Sequence, residues 1–147
     1  MEENMYEFRG KSDDDWVYGM LLRINPDDCG EHGEFKNNKY MIQTDELETG
    51  EYRKYFITDD DSIGQYTGIK DMKGRKIYEN DIVKKETFDY EAPNHRKVSY
   101  AKVKYIEACS GYQLVNRDNK VLWDLASDRF YIEICGNMTD TSELMEV

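Results

Sequence analysis

The chain has 147 residues, of which 39% are hydrophobic, 35% charged and 13% aromatic, with a net charge of −11 at neutral pH. Typical domains run to about 100–150 residues, so the length allows one domain or two small ones with a thin core. No run approaches the about 20 apolar residues of a membrane-spanning helix, and 12 tyrosines favour strands over helices.

The N-terminus M-E-E-N-M-Y-E is acidic where a signal peptide is basic and then apolar, so a soluble protein of the cytosol is expected. Cys29, Cys109 and Cys135 are odd in number and scattered, which suits reduced thiols better than a disulfide framework. The charge is uneven. Residues 1–62 hold 7 Lys and Arg against 17 Asp and Glu, residues 63–147 hold 13 against 14, and within the latter residues 63–105 hold 10 against 6.

In chain order, residues 7–10 read as a short strand entering the polar loop S-D-D-D. Residues 16–24 alternate, with Trp16, Tyr18, Met20, Leu22 and Ile24 on one face and Val17, Gly19, Leu21 and Arg23 on the other. Both faces are largely apolar, so cover on much of both sides is expected. Gly19 marks a close approach by another segment. Residues 25–38 are a polar loop with Pro26, Gly30 and Gly33. Residues 40–44 and 52–58 read as strands of a hairpin, and Asp59, Asp60 and Asp61 close the acidic part.

The organising stretch is residues 62–84, S-I-G-Q-Y-T-G-I-K-D-M-K-G-R-K-I-Y-E-N-D-I-V-K. Gly68 and Gly74 each predict a tight turn, D-M-K-G from Asp71 being a type I turn with Gly in its last position. Asn80 and Asp81 predict a sharp bend, with Asp81 accepting from the backbone, that feeds Ile82 and Val83 into a core.

Beyond it, residues 86–94 read as irregular, with Pro93 unable to join a ladder. Residues 96–106 are a long strand whose apolar parity slips, predicting a β-bulge near Tyr100. Residues 112–115 and 120–123 flank the turn N-R-D-N, residues 123–129 suit a single helical turn, and residues 130–135 are the last strand. Cys135 there reads as a small buried hydrophobe.

The segment Q-Y-T-G-I-K-D-M-K-G-R-K-I-Y-E-N-D-I-V closely resembles the signature of the YopX family of phage and prophage proteins, approximately Q-Y-T-G-L-K-D-x-x-G-x-x-I-Y-E-G-D-I-V. F-R-G-K at Phe8, W-V-Y-G at Trp16 and the closing I-E-I-C-G-N-M at Ile132 agree with it, so the resemblance runs from residue 8 to 138. Its residues here are Trp16, Gly19, Gln65, Tyr66, Gly68, Asp71, Gly74, Ile77, Tyr78, Asn80, Asp81 and Gly136. Asn80 departs from the family's Gly but also tolerates a left-handed bend. The resemblance implies a phage origin and an SH3-like barrel in the C-terminal part, and implies no activity or catalytic residue.

Other chemistry is thinly signalled. C-x-x-H at Cys29 and His32 is half a zinc site without a second pair, and the aspartates at 13–15 and 59–61 lack the spacing of a calcium loop. His32 and His95 are the imidazoles available as bases, and both sit in polar loops. Arg96, Lys97, Lys102 and Lys104 with Tyr100 and Tyr105 make a basic strand with interleaved aromatics, a nucleic-acid candidate opposed by the overall negative charge. The acidic first part offers the opposite option, carboxylates presented to a basic DNA-binding protein.

The expected architecture is mainly β with little helix: an N-terminal antiparallel sheet in residues 1–74 packed on an SH3-like β-barrel in residues 75–138, and a frayed or interacting tail at 139–147. The expected function is that of a non-enzymatic phage accessory protein acting by protein binding, with a second copy among its partners. No metal, cofactor or membrane is expected. The alternative is a nucleic-acid-associated module using residues 96–105.

Overall fold

The structure, a computed structural model, describes residues 7–25, 39–44 and 49–146. Of the loop expected at 25–38, residues 26–38, with Cys29 and His32, lie outside them. Alternating side chains and the turn residues between them form eleven strands among the described residues: β1 Phe8–Ser12, β2 Asp15–Arg23, β3 Tyr40–Gln43, β4 Lys54–Phe56, β5 Asp59–Lys70, β6 Lys76–Tyr78, β7 Asp81–Phe88, β8 Arg96–Ile106, β9 Gly111–Val115, β10 Val121–Asp124 and β11 Ile132–Asn137. Among the described residues, helix is confined to one turn, α1 Leu125–Asp128, and short 3₁₀ turns. The chain divides into two compact units between Tyr66 and Thr67, ahead of the expected boundary at 74/75.

The first unit is an antiparallel sheet in the order β4-β3-β2-β1-β5, around a core of Val17, Ile42 and Ile57. The prominent alternation of β2 has one core side, and it is the side of Val17 and Gly19; Tyr18 and Met20 are 43% and 57% exposed. Cross-strand partners explain the choice. Trp16 and Tyr18 lie opposite Lys11 and Arg9, and the Arg9 guanidinium sits 4.6 Å over the Trp16 ring, so aromatic rings on this face meet cations rather than apolar groups. Gly19 does mark a close approach: a Cβ there would overlap the Gln43 carbonyl oxygen and lie 2.8 Å from its carbon.

One expectation fails at β5: Gly68 does not turn the chain, which runs as one strand from Asp59 to Lys70. Ser62 anchors the start: its hydroxyl accepts the Lys11 amide at 2.7 Å and donates to the Asp59 carbonyl. At the far end Gly68 has φ +82° within the strand, and the Thr67 hydroxyl donates to the Ile77 carbonyl at 2.8 Å and accepts the Ile69 amide at 3.2 Å. Positive φ therefore makes an irregularity that the strand survives, because a side chain replaces the lost ladder bonds.

The second unit is built on an antiparallel sheet in the order β10-β9-β8-β7-β11, whose inner face packs Val83, Ala101, Val103, Leu114 and Ile132 with Ile77 and Leu125. The sheet is open rather than closed into a barrel. β10 is four residues long and ends at Asp124, whose carboxylate accepts the Ser127 amide at 3.2 Å and hydroxyl at 2.7 Å, so the chain turns into α1 instead of extending the strand. β11 then returns on β7. Its outer edge is already occupied: the Met72 amide donates to the Ile132 carbonyl at 3.0 Å, the Ile134 amide to Asp71 Oδ2 at 2.9 Å, and the Arg75 guanidinium to the Ile134 carbonyl at 2.7 Å. The D-M-K-G-R turn thus caps the edge strand.

That turn is the expected one, with the Gly74 amide donating to the Asp71 carbonyl at 2.9 Å and Gly74 at φ +79°. Asn80 takes φ +75° as expected, and Asp81 is a buried acceptor, receiving the preceding Tyr78 amide at 2.8 Å. Other details differ. β7 continues through Phe88, so irregular chain begins at 89. The pairing of β7 with β8 runs without a shift from Ile82↔Lys102 to Phe88↔Arg96, so no bulge forms at Tyr100; the apparent slip arises because Val98 is exposed. Phe130 and Tyr131 lie in a 3₁₀ turn ahead of β11. The tail is structured: residues 142–146 form a 3₁₀ turn that buries Met145 against the second unit, and the Thr141 hydroxyl accepts the Asn137 amide at 3.0 Å. Cys135 is half-buried, its thiol facing the Ile82 carbonyl and pushed up by burial.

Two measurements check these packing claims. Gly19→Ala should cost about 3 kcal/mol, read as a lowered thermal midpoint, because neither strand can yield without breaking the β2–β3 ladder. Asp71 supplies a pH test. Burial pushes its carboxyl up, but the amides of Ile134, Arg75 and Lys73 and the Arg75 guanidinium outweigh that and hold it below the usual range. With the folded pKa below the unfolded one, the stabilisation is present above about pH 4 and is lost as pH falls through the folded value. Asp71→Asn should therefore lose about 2 kcal/mol in urea melts at neutral pH and show a shallower loss of stability on acidification than the wild type.

Candidate functional site

The residues of the family-like signature do not converge on one pocket; each holds a piece of backbone. Gln65 pairs with Phe8 across β1 and β5, and Tyr66 is buried, its amide donating to the Glu7 carbonyl at 2.7 Å. Ile77 and Tyr78 are buried ahead of the bend. The Asn80 amide donates to the Val103 carbonyl at 2.8 Å, and the Asn80 carbonyl accepts the Met138 amide at 2.8 Å. A side chain at Gly136 would strike Thr141 and meet Leu144 Cδ1 at 3.0 Å. With Trp16, Gly19, Gly68, Asp71, Gly74 and Asp81 described above, every signature position has a structural task.

Among the described residues, no group of three or more His, Cys, Asp or Glu side chains is arranged to hold a metal ion. His95 lies at the tip of the β7–β8 hairpin, its ring 5.8 Å from that of Phe88 and its Nδ1 3.2 Å from the Tyr90 carbonyl oxygen.

The basic strand β8 is divided by its own pleat. Arg96, Tyr100, Lys102 and Lys104 share the outer face with Lys84, while Lys97 lies on the other. Arg96 is 3.8 Å from Glu86 in an exposed ion pair. Burial holds the Lys102 ammonium below its usual range, and neighbouring Lys104 adds to this. Glu79, pushed up by burial, faces the Tyr105 amide and Lys104. The five candidates therefore do not form one continuous basic surface.

A different feature occupies that outer face. Met72, Phe88, Val98, Phe130 and Tyr131 are between 44% and 67% exposed, and all but Phe88 line a groove of about 430 Å³ with Lys73, Lys84, Glu86 and Glu133. Phe88 extends the same face, two residues beyond Glu86 on β7. Charges of both signs rim the groove, with Glu133 lying 3.7 Å from Lys84 and 3.6 Å from Arg75. Large apolar side chains grouped in this way mark interaction sites in soluble proteins. The sequence reading missed the groove because it placed Phe130 and Tyr131 in a strand, where adjacent residues point to opposite faces; the 3₁₀ turn leaves both exposed, with Arg129 stacked 4.6 Å over the Phe130 ring.

Comparisons with known proteins bear on the fold and the family. The crystal structure of protein EF1440 from Enterococcus faecalis is similar over 97% of this chain and 99% of that one, with a TM-score of 0.50 and 19% identity, a likeness of fold alone. No curated protein matches the chain. The family profile described as YopX protein matches residues 7–146, nearly the whole sequence and every position of the signature laid out above, and the chain belongs to the YopX family.

Proposed function

We propose that this YopX-family chain is a non-enzymatic phage or prophage accessory protein of the host cytosol that acts by protein binding, with a second copy of itself on the outer face of the β7-β8-β11 sheet. The observation that carries this reading is the exposed apolar group of Met72, Phe88, Val98, Phe130 and Tyr131. Charge favours a second copy as the occupant. Residues 63–147 hold 13 basic and 14 acidic side chains, so this part meets its own copy with little repulsion. A two-fold contact brings each patch against itself, and the groove has Lys73 and Lys84 to face Glu86 and Glu133. The strand order, with a helical turn before the last strand, supports reading the second unit as an opened SH3-like meander.

A second reading rests on the alignment of Lys84, Tyr100, Lys102 and Lys104 on one face, which suits a nucleic-acid backbone. Light scattering after size exclusion, run with and without DNA, separates the two. The first reading expects a DNA-independent dimer at micromolar concentration, converted by Phe130→Ser to a folded species that associates at least about tenfold more weakly. A monomer that shifts only with DNA would favour the second.

A further inference from the structure

Strand β8 lies third of five in its sheet, yet its first half has a neighbouring strand on one side only. β7 pairs with it from Arg96 to Lys102, whereas β9 pairs with it from Lys102 to Ile106. β9 stops at Val115 because the chain then turns on itself: Asn116 Oδ1 accepts the amides of Asp118 and Lys120 at 2.9 and 3.0 Å, and the Asn116 amide donates to the Lys120 carbonyl at 2.9 Å. This leaves a notch in the sheet, in line with β9, that opens on a cleft of about 740 Å³.

Backbone groups face the notch. The carbonyls of His95 and Val103 accept the amides of Asp89 and Asn80 from the β7 side, at 3.0 and 2.8 Å, and strand alternation turns the amides and carbonyls of Val98 and Tyr100 the other way. Among the described residues no hydrogen bond engages those four groups. Side chains wall the notch on both faces of the sheet. Val98 and Tyr100 belong to the outer face, where the C-terminal turn brings Leu144 and Met145; Leu144 lies against Gly136, which sits on that face opposite Ile82. Lys97 and Ser99 belong to the inner face, with Trp123.

The geometry points to a peptide-binding site: an extended segment of another protein lies in the notch as an added strand, continuing the line of β9 and exchanging hydrogen bonds with Val98 and Tyr100. Its side chains alternate between the two faces, so the segment that fits alternates apolar and acidic residues. The apolar ones meet Tyr100, Leu144 and Met145, and Glu146, beside Met145, repels acids from that side. The acidic ones lay their stems on Trp123 and meet Lys97, on a stretch whose residues 96–105 include Arg96, Lys97, Lys102 and Lys104 and no acid.

The probe is a blocked peptide of alternating valine and glutamate, long enough to span the notch at about 3.3 Å per residue, titrated into the full chain and followed by fluorescence anisotropy and amide exchange. One-to-one binding is expected, with the Val98 and Tyr100 amides protected at saturation while that of Ser99, which faces β7, is unchanged. The same peptide N-methylated at alternate residues, on the edge that meets β8, should bind at least about tenfold more weakly because its ladder donors are gone. Val98→Pro removes one donor of the notch without touching the bonds to β7 and should weaken binding by a similar factor, with thermal melting to check the fold. Phe130→Ser should leave binding unchanged, which separates this site from the outer-face groove. Equal affinity for the methylated and unmodified peptides would overturn the inference. So would an unprotected Tyr100 amide at saturation, a valine–lysine peptide that binds as tightly, or no binding of the probe at about 1 mM.

Discussion

The second unit depends on two buried carboxylates that accept hydrogen bonds from backbone. Asp71 is 5% exposed and Asp81 2%. Asp71 receives the amides of Lys73 and Arg75 on Oδ1 and that of Ile134 on Oδ2, all at 2.9 Å; Asp81 receives the Tyr78 amide. A buried carboxylate without such donors would be strongly unfavourable, so each specifies the one backbone path that supplies them. Asp81 fixes the corner between β6 and β7. Asp71 ties the preceding turn to the free edge of β11 and leaves that edge with little to offer another strand. Much of the YopX signature in this chain is thus a description of how the edge and the corner are closed.

Where local chemistry admits one outcome, the sequence was legible. The β8 limits, the turn at Gly74, the left-handed Asn80 and the helical turn before β11 all follow from glycine and asparagine tolerance, proline exclusion and period-two alternation. What could not be read locally was the side of an element that faces the core. Both faces of β2 are apolar, and only pairing with Arg9 and Lys11 assigns Trp16 and Tyr18 to the face away from it. Gly68 signals positive φ but not whether the strand ends there. Val98 mimics a parity slip because exposed apolar residues are ordinary on a protein surface. The outer-face groove escaped for a related reason: it draws on the turn at Met72, three strands and the 3₁₀ turn at Phe130, and no sequence window contains them together.

The two units divide the surface by chemistry. The second is nearly neutral and displays large apolar side chains on one face of its sheet, suited to a partner of similar character. The first carries most of the negative charge, part of it in the β1–β2 turn and at the start of β5. Neither depends on the nucleic-acid chemistry suggested by the lysines of β8, which the pleat distributes over two faces.

The central claim, that Asp71 locks the signature turn onto the β11 edge, is tested most directly by amide hydrogen exchange at single-residue resolution. The Ile134 amide points to the outer edge of the sheet, where an uncapped strand exchanges quickly. Protection comparable to that of the core amides of β7, lost selectively in Asp71→Asn while β8 stays protected, is the expected result. Rapid exchange of Ile134 in the wild-type protein would contradict the account.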